Sequence, residues 1–243
     1  MDYNVCFGRR GVAAVVAALV AVAMWLVALW GVAVSEGVWA VCGWVFLAAK
    51  GVMLVSTAVA MAVRPALAWR VWMGRYRFDY ENGRGVWQAA TRLGWELPQL
   101  WVGYVLAQWR VARGDVVRVD TLEGVTFVTG RNRDPHTSTG MSAGCFVQLW
   151  LPDRWVADFG QYAWHGSDGF VRHEYGHTVD SQLWGWLYLP VVGVPSLVSQ
   201  WLALGRSPRH RHESFWPERR ADRLGARYFV RRQPDAQVQE GQA

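Results

Sequence analysis

VRHEYGHTVDSQ, residues 171–182, is the stretch on which the fold turns. An α-helix advances about 100° per residue, so His173 and His177 fall about 40° apart on one face, one turn from each other. Two imidazoles in that register can hold one Zn²⁺ ion, and Glu174 beside them can reach a metal-bound water without displacing a ligand. Ser167 or Asp168 stands where a cap would start this helix, and Gly185 where a glycine would end it. Gly176 costs about 1 kcal/mol relative to alanine inside a helix. It makes sense if a sheet edge or a substrate must approach the helix closely.

A helix of this kind needs a third ligand. WPERRADRLGARYF, residues 216–229, offers one. Pro217 suits the first turn of a helix. Glu218 and Asp222 are then i and i+4 on one face, and the small Ala221 permits close packing against another helix. Zinc sites of the H-E-x-x-H class commonly take their third ligand from a glutamate on a later helix, and Glu218 is a candidate for it. A carboxylate that fixes the tautomer of a ligand histidine is equally expected, and Asp222 is placed for it. The plainer reading is a solvated helix in which Glu218 and Asp222 pair with Arg219, Arg220 or Arg223, but it must account for both segments at once. His212 could replace Glu218 as ligand, without the helical framing or the carboxylate partner.

HEYGH followed by ERRADRLGA resembles zinc metallopeptidases of the gluzincin type, most of all the membrane-anchored group related to the CAAX prenyl protease and HtpX families, which carry H-E-x-x-H and, downstream, E-x-x-A-D. It is also similar to uncharacterised bacterial membrane proteins with HEYGH and a following Pro-rich stretch. The resemblance covers about the last third of the chain. It implies that His173, His177 and Glu218 bind Zn²⁺, that Glu174 is the general base, and that Asp222 supports a ligand histidine. The activity implied is hydrolysis of peptide bonds by a zinc-activated water. Tyr175, His210 and His212 are the residue types available to stabilise the oxyanion. A non-enzymatic membrane protein, an assembly factor or sensor with a structural or vestigial metal site, is the alternative. Glu174 argues for the enzyme, because a structural site has no use for a base.

The composition gives the site an address. Charged residues make up 18% of the 243, below the roughly 25% of soluble domains, and tryptophan reaches 17, which points to lipid contact. The net charge of +6 is nearly all arginine, the single lysine being Lys50, as in a GC-rich bacterial genome. No nucleic-acid-binding motif accompanies it, so no nucleic-acid partner is expected. Cys6, Cys42 and Cys145 form no C-x-x-C, which excludes a cysteine zinc knuckle and supports no disulfide framework.

Residues 11–34 and 38–63 are apolar runs long enough to cross a bilayer, with only Ser35, Glu36 and Gly37 between them. They predict an antiparallel transmembrane hairpin rather than a cleaved signal. Arg9 and Arg10 precede the first run, and Arg64, Arg70, Arg75 and Arg77 follow the second. The positive-inside rule then places both ends in the cytoplasm of a bacterial inner membrane. Lys50 must face a neighbouring helix or snorkel.

The expected fold is α+β: a transmembrane helical hairpin (1–65), an interfacial and amphipathic helical linker (66–115), a zincin-like domain with a small sheet and two metal-site helices (116–233), and a disordered tail (234–243). Residues 87–113 are expected to be helical with a break near Leu97-Pro98. Strands are expected at 116–120, 124–129 and 144–151, with residues 130–140 as a turn cluster. The last strand is either a plain core strand or an edge that binds substrate as an added strand. The expected partners are the bilayer and a peptide or protein substrate. One condition is strict. If residues 183–204 crossed the membrane, Glu218 could not meet the histidines. Pro190 and Pro195 predict a broken segment that does not cross.

Overall fold

The computed structural model describes residues 19, 22–34, 36–80, 83–134, 136–157, 159, 169–205 and 214–229. The expected span at 11–34 lies partly outside them, as do Cys6, Ser167, Asp168, His165, His210, His212 and the tail after Gln233. α1 is Val22–Val34 and α2 is Val38–Val63. They pack on each other through glycines. A side chain at Gly43 would strike the Ala28 carbonyl oxygen at 2.6 Å, one at Gly31 would strike that of Trp39 at 2.7 Å, and Trp25 meets Phe46 edge-on. On α2 the buried residues are Gly43, Phe46, Met53, Thr57 and Ala60, while Val41, Trp44, Val45, Val55 and Val59 are exposed. The buried face mixes Gly43, Thr57 and Ala60 with Phe46 and Met53, while the exposed face is bulky and apolar where a helix on a water-soluble domain carries polar groups. Among the described residues, α2 alone is long and apolar enough to cross a membrane as one helix. The Lys50 ammonium sits 5.1 Å from the Phe46 ring centre, against its own helix.

α3 is Pro65–Gly74, started by its proline. α4, Gly85–Ala90, runs into a π-helical turn at Thr91–Trp95. The chain breaks at Glu96 and resumes as α5, Leu97–Arg113, where Pro98 fills a position that needs no N–H. The segment expected at the interface is tied into the protein. Ala68 and Val71 are fully buried, Arg64 donates to the Val116 carbonyl at 2.8 Å, and Arg75 lies between the rings of Trp72 and Tyr104. Two further arginines are internal. Arg110 binds the carbonyls of Val128 and Leu149, and Arg92 those of Arg77 and Gly124.

The sheet contains β1 (Val116–Leu122), β2 (Val125–Arg131), β3 (Thr139–Ala143) and β4 (Phe146–Leu151), in the order β1-β2-β4-β3. β1 and β2 form an antiparallel hairpin whose turn, Glu123-Gly124, has both φ angles positive. β2 and β4 are parallel, and β3 is antiparallel to β4. One expectation is corrected here. Thr139 and Gly140 fall in the expected turn cluster but begin β3, a strand hidden because Thr-Gly-Met-Ser-Ala lacks the β-branched and aromatic run that marks one. β4 lies between β2 and β3, which is the core-strand reading of the two, and the edge strands are β1 and β3. The sheet has helices on both faces. Phe146 and Val128 pack with Leu100 and Tyr104 of α5 in one cluster. Phe127, Val147 and Leu149 pack in another with Val171, Tyr175 and Val179 of α7, Phe170–Trp184. The short α6, Asp153–Ala157, lies between β4 and α7. After α7 come a 3-10 turn at Gly185–Leu187, a π turn at Leu189–Gly193, and α8, Val194–Gly205. The axis bends by 118° between the helical segments Phe170–Leu187 and Leu189–Ala203. α9 is Trp216–Tyr228. The fold is thus α+β, and the expected break at Pro190 is where the chain turns.

Candidate metal centre

α7 and α9 cross where neither has a side chain. A Cβ on Gly176 would overlap the Ala221 carbonyl, lying 2.6 Å from its carbon, and one on Gly225 would overlap that of Arg172. The close neighbour of Gly176 is therefore α9, and not the sheet edge or substrate expected from the sequence. The buried Asp180 carboxylate accepts from Arg220 Nε at 2.5 Å and ties the same two helices. Gly185 ends α7 with a φ of 53°, as expected. Pro217 opens α9 and puts Glu218 in its first turn, where the helix dipole favours a carboxylate.

This crossing brings together all three expected ligands. His173, His177 and Glu218 each offer one ligand atom, and these lie within 4.8 Å of one another. Glu218 Oε2 is 3.1 Å from His173 Nε2 and 3.2 Å from His177 Nε2. A tetrahedral Zn²⁺ with bonds of ~2.0–2.1 Å holds its ligand atoms ~3.3 Å apart, which the two separations from Glu218 Oε2 approach. The described residues fit a metal in chemistry as well: two imidazole nitrogens and one carboxylate oxygen converge on one point. Asp222 Oδ1 is 2.7 Å from His173 Nδ1. That contact favours a proton on Nδ1 and leaves the Nε2 lone pair for a metal. Ser196 of α8 donates to Glu218 Oε1 at 2.6 Å, leaving Oε2 for the histidines.

Electrostatics follow from this packing. Burial opposes the charge on His173, but hydrogen bonds with Glu218 and Asp222 outweigh it and raise the imidazole to about 9. Burial also works against a charged Glu218, and contacts with both histidines and Ser196 reverse this, holding it far below the usual carboxylate range. The pocket is one that favours a cation beside an anionic ligand.

Glu174 is 6% exposed and lines the same cleft, whose volume is about 670 Å³. Ser142 Oγ donates to Glu174 Oε2 at 2.7 Å and shares that hydroxyl with the Glu174 carbonyl at 2.9 Å. Gly140 makes room for the carboxylate, since a Cβ there would lie 2.5 Å from Oε1. β3 thus forms one wall of the cleft, and Tyr188, Leu189, Val194 and Leu197 line it from the segment after α7. Tyr175 faces elsewhere. It is 1% exposed, packs on Phe229 and lies under Arg84, which corrects its candidacy for the oxyanion. His136 is exposed in the loop before β3 and is not among the clustered ligands.

Sequence reading missed Ser142, Ser196, Gly140 and Tyr188. Ser142 and Gly140 sit in the unrecognised strand, and single serines carry no spacing signal. Comparison with known proteins returned no match: no family model fits the chain, and no curated protein or solved structure is significantly similar to it.

Proposed function

We propose that the chain is a membrane-anchored zinc-dependent metallopeptidase, with α1 and α2 as a transmembrane hairpin and the sheet with α7 and α9 as a zincin-like domain. The observation that carries this reading is the convergence of His173, His177 and Glu218, within 4.8 Å, beside Glu174 in one cleft. A structural site would account for the three ligands and Asp222. It gives no reason to hold a fourth, non-ligating carboxylate against the cleft with a serine and a glycine of another element.

Zinc bound by these three residues would lower the pKa of a water to ~7 and polarise the scissile carbonyl. Glu174 takes the proton of the attacking water on its carboxylate and delivers it to the leaving nitrogen. Ser142 fixes the carboxylate for both transfers. Asp222 orients His173, and Ser196 orients Glu218. An extended peptide laid along the free edge of β3 would cross the cleft as an added strand, its backbone pairing with the edge. Among the described residues of the cleft, Tyr188 carries the one phenol, a candidate donor to the developing oxyanion beside the cleft's serines and Thr139. Arginines flanking the two apolar runs support a cytoplasmic cleft at a bacterial inner membrane.

The test is hydrolysis of a quenched fluorescent peptide library by protein purified in detergent and loaded with zinc. Wild type cleaves, Glu174→Gln binds the same zinc and does not, and Glu218→Ala does neither. A wild type that binds zinc stoichiometrically and cleaves nothing would favour the non-enzymatic alternative.

A further inference from the structure

α8, the helix that walls the cleft opposite β3, is built inside out. From Ser181 to Gly205 the chain carries no charge. Val194, Leu197, Val198 and Trp201 are 54%, 53%, 49% and 60% exposed, and their i, i+3, i+4, i+7 spacing makes them one stripe, of which Val194 and Leu197 also line the metal cleft. The serines face the protein: Ser196 holds Glu218, and Ser199 is 2% exposed. Leu183, Trp186 and Leu187 extend the exposed apolar surface onto the preceding turn. A helix in contact with water would bury the stripe and expose the serines.

Three observations identify lipid as what covers it. First, α2 shows the same inversion and has the length to cross a bilayer. Second, apolar surface reaches from α2 to the edge of the metal cleft that α8 walls. A groove of about 460 Å³ between α2 and α5 is lined only by apolar residues, among them Ala49, Val52, Trp101 and Trp109. Val102 lines both this groove and the metal cleft. Third, the 118° bend turns the chain back on itself, so the two segments do not continue as one straight span. Trp186 and Trp201 are of the type that settles at the membrane–water boundary. Arg206, Arg209 and Arg211 follow α8 in the sequence and suit anionic headgroups.

We propose that residues 183–205 form a re-entrant arm seated in the same bilayer as α2, with lipid against its apolar stripe. This rests on the membrane anchoring proposed above and adds a second point of insertion. The metal cleft then lies at the membrane surface with α8 as its lipid-side wall, and the polypeptides it accepts are segments held at that surface. The arm's root is fixed on the protein, as irregular backbone in a membrane requires. Gln99 Nε2 donates to the Gly185 carbonyl at 2.7 Å and Trp186 Nε1 to that of Gly94 at 2.8 Å. Tyr188 and Val192 are buried. Through Ser196, the seating of α8 bears directly on the third ligand.

The experiment places a nitroxide at Val198→Cys or Trp201→Cys in the full chain, with Cys6, Cys42 and Cys145 replaced by alanine. The protein is reconstituted in phosphatidylethanolamine and phosphatidylglycerol vesicles. Val55→Cys on the outer face of α2 serves as the bilayer reference and Asp153→Cys as the aqueous one. Collision with oxygen and with a water-soluble nickel chelate gives depth. The arm predicts both labels rich in oxygen and poor in nickel, within one leaflet. Nickel access equal to that at position 153, with the Val55 label in lipid, overturns the arm alone. Nickel access at all positions overturns the anchoring and the arm together. The readout requires neither metal nor turnover, so a chain without zinc whose labels still lie in lipid supports the arm while refuting the metallopeptidase.

Discussion

Gly176→Ala separates helix propensity from the geometry of the site. On propensity alone, alanine in the middle of α7 stabilises by about 1 kcal/mol. The added methyl would lie 2.6 Å from the carbonyl carbon of Ala221 and 3.0 Å from its Cα, where carbon atoms rest at about 3.5–4.0 Å. The contact is backbone and cannot rotate away, so α9 must retreat from α7 by roughly 1 Å. Glu218 is three residues from Ala221 on the same rigid helix and moves with it. Its separations of 3.1 and 3.2 Å from the two histidines become about 4 Å, beyond the ~3.3 Å that tetrahedral zinc spans. Overpacking costs about 1–3 kcal/mol, so the net loss of stability is about 0–2 kcal/mol. Zinc affinity falls by on the order of 10–100-fold, the scale of a ligand that loses its support. Competition with a chromophoric chelator measures the affinity, and thermal unfolding with and without zinc measures the rest. A variant with higher apo stability and undiminished zinc affinity would refute the claim that the glycine sets the ligand spacing.

Other substitutions divide the site by role. Asp222→Asn keeps an acceptor beside His173 Nδ1 but removes its charge, so zinc affinity drops about tenfold with the fold intact, as read by the same competition. Gly140→Ala pushes against the end of the Glu174 side chain and no ligand, so zinc affinity is unchanged while kcat falls. The Arg84 cluster behind α7 gives a pH dependence. Burial, with Asp79 beside it, raises the Glu123 carboxyl to about 7 against the pull of Arg84. The folded chain then holds that proton more tightly than the unfolded chain, so its contribution to stability is complete below the ordinary carboxyl range and is lost as pH rises through about 7. Glu123→Gln removes this term. The wild type should lose stability relative to the variant between about pH 4.5 and 7 in denaturant titrations, and parallel curves would contradict the assignment.

The ligand set was legible because helices carry their geometry in their spacing. His173 and His177, and Glu218 and Asp222, are each i and i+4, and Pro190 stands just after the bend between Leu187 and Leu189, while Pro195 lies inside the segment that follows. What supports the set was not legible. Ser142 and Ser196 reach Glu174 and Glu218 from elements 32 and 22 residues away in sequence, and nothing local announces such contacts. β3 was hidden because its pairing with β4 is what makes Thr-Gly-Met-Ser-Ala extended. Arginine was legible only in part. The arginines that flank the apolar runs are visible in the sequence, but nothing local marks Arg92 and Arg110 as buried and bonded to backbone carbonyls, where five fixed donors serve a core that lysine would not.

The central claim is that α7 and α9 together hold one zinc ion. Zinc content by mass spectrometry, joined to X-ray absorption at the zinc edge on protein purified in detergent, tests it most directly. The account predicts about one zinc per chain, bound by two imidazole nitrogens and carboxylate oxygen at ~2.0–2.1 Å, and its loss in Glu218→Ala. A wild type that takes up no zinc from replete buffer, or a Glu218→Ala variant that binds it equally well, would contradict it.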